Sequence, residues 1–181
     1  MKPINYNFNF RKYVGFDTTA LAEKIKSIPD AQWYEFTHRQ DLYGPHVHTL
    51  TVPVLFNTDL RAKSIVHPFY STIKTELNEL ELFLNDRNKG IGTIMRAIIA
   101  ALLPNSDIPI HKDHAAIFAI PHRFHVPIVT NDKVLFTVGE DTVNMKVGEV
   151  WEINNIRSHA VSNKSDERRI HLIVDWEEKD L

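Results

Sequence analysis

The sequence predicts a mainly β protein with flanking helices, its strands folded into a sandwich or barrel. Two observations carry this. Beyond Gly90 and Gly92 the apolar residues fall in short β-like runs separated by turn residues, among them Asn131-Asp132, Gly139-Glu140-Asp141, Gly148-Glu149 and Ser165-Asp166. Only two clear helical periodicities occur, both before that point.

The first of these follows Asp17-Thr18-Thr19, where Leu21, Ile25 and Ile28 recur at helical spacing ahead of Pro29, predicting a short amphipathic helix over residues 18–28. Residues 31–37 are aromatic and β-rich, and residues 48–56 run apolar, so both are expected as strands with Gly44-Pro45 breaking between them. Pro53 cannot donate to a ladder and should put the second strand at an edge. Over residues 68–84, Phe69, Ile73, Leu77, Leu80 and Leu84 predict a longer helix, with Pro68 near its first turn and Asn85-Asp86 after its end. Strands are then expected near residues 93–102, 108–111, 123–129, 134–138, 143–146, 150–153, 159–162 and 169–176. The Ala, Leu and Ile content of residues 94–103 also suits a helix, but the flanking glycines and Pro104-Asn105 favour a strand. With no linker or repeat, residues 1–181 are expected as a single domain, an α/β portion (1–92) flanking a β core (93–176).

At 181 residues and 43% apolar content the chain can bury one core. It has no cysteine, which excludes disulfides, thiolate zinc sites, iron–sulfur clusters and thiol nucleophiles; His and carboxylate must supply any metal ligands. A net charge of −2 with scattered Lys and Arg offers no field for nucleic acid. No apolar run approaches a membrane span and the start lacks a signal-like core, so a soluble cytoplasmic protein without a membrane partner is expected.

Ten histidines invite over-reading, and His38, His46, His48, His67 and His122 are assigned no role. His111 and Asp113 differ: two positions apart in an extended segment, they project to one side. His159 on a later strand is the candidate third ligand. Two imidazoles and one carboxylate leave open positions on a metal, the arrangement of non-haem Fe(II) oxygenases, whereas zinc is more often closed by a fourth ligand. Asp113 also suits an ordinary turn. Arg123 and His125 share a strand face. Arg169 sits in the otherwise apolar run Arg169-Ile170-His171-Leu172-Ile173-Val174-Asp175, where an inward guanidinium needs an anion and fits a carboxylate bidentately. The competing arrangement sets Arg168 or Arg169 on the outer face against Glu167 or Asp175.

In Ile108-Pro109-Ile110-His111-Lys112-Asp113, Arg123-Phe124-His125-Val126-Pro127, Gly148-Glu149-Val150-Trp151, Ser158-His159 and the run from Arg169 to Asp175, the sequence resembles the aspartyl/asparaginyl β-hydroxylase family of Fe(II)- and 2-oxoglutarate-dependent oxygenases. The resemblance covers roughly residues 94–176. It implies a double-stranded β-helix of the jelly-roll, cupin-like kind, with His111, Asp113 and His159 holding Fe(II) and Arg169 binding the distal carboxylate of 2-oxoglutarate. It also places Arg123 and His125 near the cosubstrate or a substrate acid group. Some members lack the acidic ligand; this chain has Asp113. The expected activity is hydroxylation of an amino-acid-type substrate, free or in a peptide or protein, with release of succinate and CO2. A substrate carboxylate would find Arg123, Arg96 and, beside the triad, His114. A cupin-like isomerase or dioxygenase that does not use 2-oxoglutarate, and a metal-free small-molecule binding module, are the rival readings.

Overall fold

The computed structural model describes residues 4–59, 62–113 and 120–179. Its described strands form two antiparallel sheets. In chain order they are β1 (Phe10–Val14), β2 (Thr49–Phe56), β3 (Ile65–Val66), β4 (Gly92–Leu102), β5 (Ser106–His111), β6 (His122–Val129), β7 (Val134–Val138), β8 (Asp141–Val143), β9 (Glu149–Ile153), β10 (His159–Asn163) and β11 (Arg169–Glu178). The larger sheet runs β1-β9-β6-β11-β4-β2-β3 and the smaller β5-β10-β7-β8, giving the expected double-stranded β-helix. Helices α1 (Thr19–Lys26), α2 (His38–Leu42) and α3 (Tyr70–Asn88) precede β4. No helix among the described residues is long and apolar enough to cross a membrane.

Strand alternation divides the larger sheet into two unlike faces. Ile170, Leu172, Val174 and Trp176 of β11, with Phe124, Val126 and Ile128 of β6 and Ala97, Ile99 and Ala101 of β4, pack in one core with Leu21 and Ile25 of α1 and Ile73, Leu77, Leu80 and Leu84 of α3. The intervening residues face the smaller sheet, where Ile108, Val134, Phe136, Val138, Val161 and Ile153 form a second core. Arg96, Arg123, His125, Arg169 and Asp175 lie on that inner face and line the cavity between the sheets. Keeping both periodicities in phase requires a bulge: Asp175 pairs with Arg96, but the next residue, Trp176, pairs with Ile94, leaving Met95 as the extra residue on β4.

Residues 94–102 are strand, as the flanking glycines indicated. The helix expected to stop near Leu84 continues to Asn88. Asn85 accepts from the backbone N–H of Gly92 (2.9 Å) and from Trp176 Nε1 (3.1 Å), so it ties the helix to the sheet instead of ending it. Lys89 takes the left-handed turn at φ 54°. The strand expected over residues 31–37 is instead a 3₁₀ turn, Asp30–Tyr34, that buries Trp33 alone against the helical core. The strand expected over residues 143–146 ends at Val143, because the Asn144 side chain leaves the ladder to donate to the carbonyls of Val134 and Asn131. Pro53 is accommodated because β3 pairs only with Leu55 and Phe56, which leaves β2 an edge at the proline. β1 went unrecognised, since the charged Arg11-Lys12 pair interrupts its alternation. It pairs with β9, and Phe10 packs edge-on against Phe136 and Trp151. The first ninety residues thus contribute strands to the sheet as well as helices outside it.

A side chain at Gly92 would place its Cβ 2.2 Å from the Trp176 ring and 2.5 Å from the Glu177 carbonyl. Gly92→Ala should therefore destabilise the protein by about 1–3 kcal/mol, seen as a lower urea midpoint at unchanged slope.

Candidate metal centre

His111 ends β5 and His159 begins β10, and the two are direct partners in the antiparallel ladder. Their ring centroids are 4.3 Å apart. Each ring is aimed by the same local device: Nδ1 donates to the carbonyl two residues earlier, Pro109 for His111 (2.8 Å) and Arg157 for His159 (2.9 Å). A carbonyl can only accept, so the Nδ1 atoms carry protons and Nε2 is the nitrogen each ring has left for a metal. Asp113, just past β5, brings Oδ1 to 3.9 Å from His159 Nε2. Ligand atoms from all three residues lie within 4.8 Å of one another. Burial alone would push the Asp113 carboxyl up, but the Arg123 guanidinium and the surrounding imidazoles outweigh it and hold the carboxyl below its ordinary value. Burial holds His159 low and therefore neutral. Two neutral nitrogens and one carboxylate oxygen, converging and pre-aimed, fit a divalent metal with open coordination positions.

Behind the triad a row of charges crosses three neighbouring strands, because Arg96 on β4 and Arg123 on β6 both pair with Asp175 on β11. Arg123 donates Nε to Asp175 Oδ1 (2.8 Å) and Nη2 to Oδ2 (3.0 Å), and Arg96 donates Nη1 to Oδ2 (2.9 Å). The remaining Arg123 nitrogen, Nη1, donates to Asp113 Oδ2. Arg123 thus couples Asp113, just past the end of β5 in the smaller sheet, to a 2% exposed carboxylate on the larger.

Three inner-face positions back along β11, the chemistry changes. Arg169, 3% exposed, donates Nη2 to His171 Nδ1 at 2.8 Å and lies over the Phe136 ring, while its Nε has no partner. Among the described residues no carboxylate pairs with it. Burial, and then the charge of Arg39, pulls its pKa down to about 9. His171 and His125 are buried and driven well below the ordinary imidazole range, first by burial and then by Arg169.

The structure therefore brings His111, Asp113, His159, Arg123, His125, Arg169 and Arg96 to one cavity; His114 lies outside the described residues. Three contributors had no role in the sequence reading. Asp175 was legible only as a possible surface partner, Arg39 on α2 carried no motif, and His46 was set aside. All three line the cavity.

A double-stranded β-helix holding two histidines and a carboxylate at its cavity defines the architecture of a metal-dependent oxygenase. Residues 72–179, more than half of the chain, match the aspartyl/asparaginyl β-hydroxylase family, and the chain belongs to that family of hydroxylating oxygenases. No curated protein sequence matches it. Several solved structures share the fold. A 2OG-Fe(II) oxygenase family oxidoreductase from Burkholderia pseudomallei is 17% identical with a TM-score of 0.61, over 74% of this chain and 70% of that one. HygX from Streptomyces hygroscopicus, with nickel, 2-oxoglutarate and hygromycin B bound, is 9% identical with a TM-score of 0.58, over 94% and 83%. A prolyl hydroxylase from Trichoplax adhaerens, in complex with a hypoxia inducible factor peptide fragment, is 7% identical with a TM-score of 0.58, over 94% and 84%.

The neutral buried histidines make stability depend on pH. Their folded pKa lies below the unfolded one, so the unfolded chain binds more protons between the two, and stability is present above about pH 6.5 and lost as pH falls below it. Each contributes a slope of up to about 1.4 kcal/mol per pH unit. Urea midpoints of the metal-free protein should fall between pH 7.5 and 5.5, and by less in His125→Asn/His171→Asn; equal falls would assign the effect to other groups.

Proposed function

We propose that the protein is an Fe(II)- and 2-oxoglutarate-dependent hydroxylase acting on an amino-acid-type substrate, free or within a peptide. The observation that carries this reading is the pairing, in one cavity, of a His111–Asp113–His159 cluster with a buried guanidinium, Arg169, that no carboxylate among the described residues neutralises. His111, Asp113 and His159 hold the metal. Arg169 forks the distal carboxylate of 2-oxoglutarate, with Phe136 covering one face of the guanidinium and His171 setting its plane. Arg123 keeps Asp113 ionised and oriented, and His125 stands beside the cosubstrate as a neutral wall. With metal and cosubstrate bound, dioxygen would be the oxidant: one oxygen atom would enter the substrate C–H bond and the other the 2-oxoglutarate, which would end as succinate and CO2. The chain itself contributes binding, orientation and exclusion of water from the inter-sheet cavity. The solved relatives support the reading in kind: HygX holds a metal and 2-oxoglutarate together, and the Trichoplax adhaerens enzyme takes a peptide.

Succinate release by the purified Fe(II) protein, together with the metal-to-cosubstrate absorption band formed anaerobically, tests the function. His111→Ala and His159→Ala should each abolish Fe(II) binding, and Asp113→Ala should weaken it severely. Full iron retention by His159→Ala would place the third ligand elsewhere.

Arg169→Ala should raise the 2-oxoglutarate requirement about a hundredfold at nearly unchanged iron affinity, since a charge-assisted pair contributes about 1.5–3 kcal/mol. Arg169→Lys should fall between, keeping the charge and losing the fork. Titration of 2-oxoglutarate into the anaerobic Fe(II) protein reads both; unchanged affinity in Arg169→Ala would move the clamp to another arginine, and no band in the wild type would remove 2-oxoglutarate from the reaction.

A further inference from the structure

The cavity contains more positive charge than its own residues and the proposed cofactors consume. Four guanidinium groups line it, Arg39, Arg96, Arg123 and Arg169, against two carboxylates, Asp113 and Asp175. The carboxylates are spoken for: Asp175 is shared by Arg96 and Arg123, and Asp113 is bound by Arg123. A divalent metal and the 2-oxoglutarate dianion cancel each other, so their arrival leaves the surplus in place. If the distal carboxylate sits on Arg169, Arg39 is the one of the four that pairs with neither a described carboxylate nor the cosubstrate.

Arg39 belongs to α2, in the part of the chain before the family match begins at residue 72. Neutral acceptors hold it: Nη2 lies 3.2 Å from His46 Nε2 and 3.4 Å from His46 Nδ1, and Nη1 is 3.5 Å from Thr51 Oγ1. Among the described residues no carboxylate pairs with it. A guanidinium only donates, so His46 must offer a lone pair and stay uncharged; burial, then Arg39 itself, pushes the His46 pKa down to about 2. His46 also stands edge-on to the His111 ring, centroids 5.3 Å apart, which sets Arg39 on the side of the cavity that carries the metal ligands. Burial and then Arg123 pull the Arg39 pKa down to about 10, and the charges of Asp113 and Asp175 offset only part of this. A single planar fork with one unmatched charge suits a carboxylate monoanion better than a phosphate dianion. Phe56 and Ile98, also lining the cavity, offer apolar surface to the rest of such a molecule.

We propose that Arg39, positioned by His46 and Thr51, is the substrate-recognition residue and binds a carboxylate of an amino-acid-type substrate. This rests on the site being a 2-oxoglutarate oxygenase, and the experiment separates the two. The wild-type Fe(II) protein is first titrated anaerobically with 2-oxoglutarate; absence of the absorption band defeats the underlying function. Given the band, free L-amino acids, their primary carboxamides, and blocked peptides containing Asp or Asn are titrated calorimetrically into the anaerobic Fe(II)·2-oxoglutarate protein, wild type, Arg39→Gln and Arg39→Lys. The expected result is that a free acid or an Asp peptide binds, that its amide counterpart does not, and that Arg39→Gln weakens the acid about ten- to a hundredfold while the 2-oxoglutarate titration is unchanged. Arg39→Lys recovers part of the loss. Loss on carboxamide formation identifies an α-carboxylate, and loss on Asp-to-Asn replacement a side-chain carboxylate. Amides binding as tightly as acids, no acid binding at all, undiminished acid binding by Arg39→Gln, or a raised 2-oxoglutarate requirement in that variant would each overturn the assignment.

Discussion

Asp175 is the group on which the site's geometry depends. A carboxylate buried in a sheet is costly unless its lone pairs are filled, and here two guanidinium groups from the adjacent strands fill them. Filling them fixes Arg123, and Arg123 in turn fixes Asp113 at the end of a strand in the other sheet. The neighbouring residue, Trp176, faces the opposite way, packed over Gly92 and hydrogen-bonded to Asn85 of α3. One strand step therefore carries the metal-side ion network on one face and the helix contact on the other, and the bulge at Met95 lets both be satisfied.

The two faces of the large sheet show how a polar cavity is kept stable. The helix-side core is apolar throughout and holds the layers together. The inner face carries arginines and histidines whose burial is unfavourable, and Arg169 donates to a neutral imidazole instead of a carboxylate. Such an arrangement is pre-organised for anions: the Arg169 and Arg39 guanidinium groups are held by neutral partners that leave their charge unquenched, so little reorganisation is needed when a carboxylate arrives.

Work is divided along the chain. The strands after residue 92 carry the His–Asp–His cluster, the Asp175 network and Arg169. The part before it contributes β1 and β2 to the sheet and, through α2 and the 3₁₀ turn at Gly44–His46, sets Arg39 and His46 against the same cavity. Chemistry and recognition thus come from different segments that meet between the sheets.

By itself the sequence determined the periodicities: α3 from its row of Ile and Leu, β7 with its bounds, β4 to β6 and β9 to β11 as closely spaced strands, and His111-x-Asp113 as a same-side pair. These are local properties, set by side-chain spacing and turn residues within a few positions. It also marked Arg169 as an inward cation, because an otherwise apolar strand cannot leave a charge without purpose. Tertiary structure alone decided the rest. Whether Asp175 was a surface partner or a buried hub depended on which strands flank β11, a pairing of residues about fifty and eighty positions distant. The turn at Asp30–Tyr34 overrode its β-rich composition because it joins no ladder, and Trp33 gained its burial by packing into the core beside β2 instead. Arg39 and His46 carried no pattern at all; they became a site only when α2 and the following turn folded back over β2 and β5, since an unmatched charge is defined by everything around it and by nothing in its own stretch of chain.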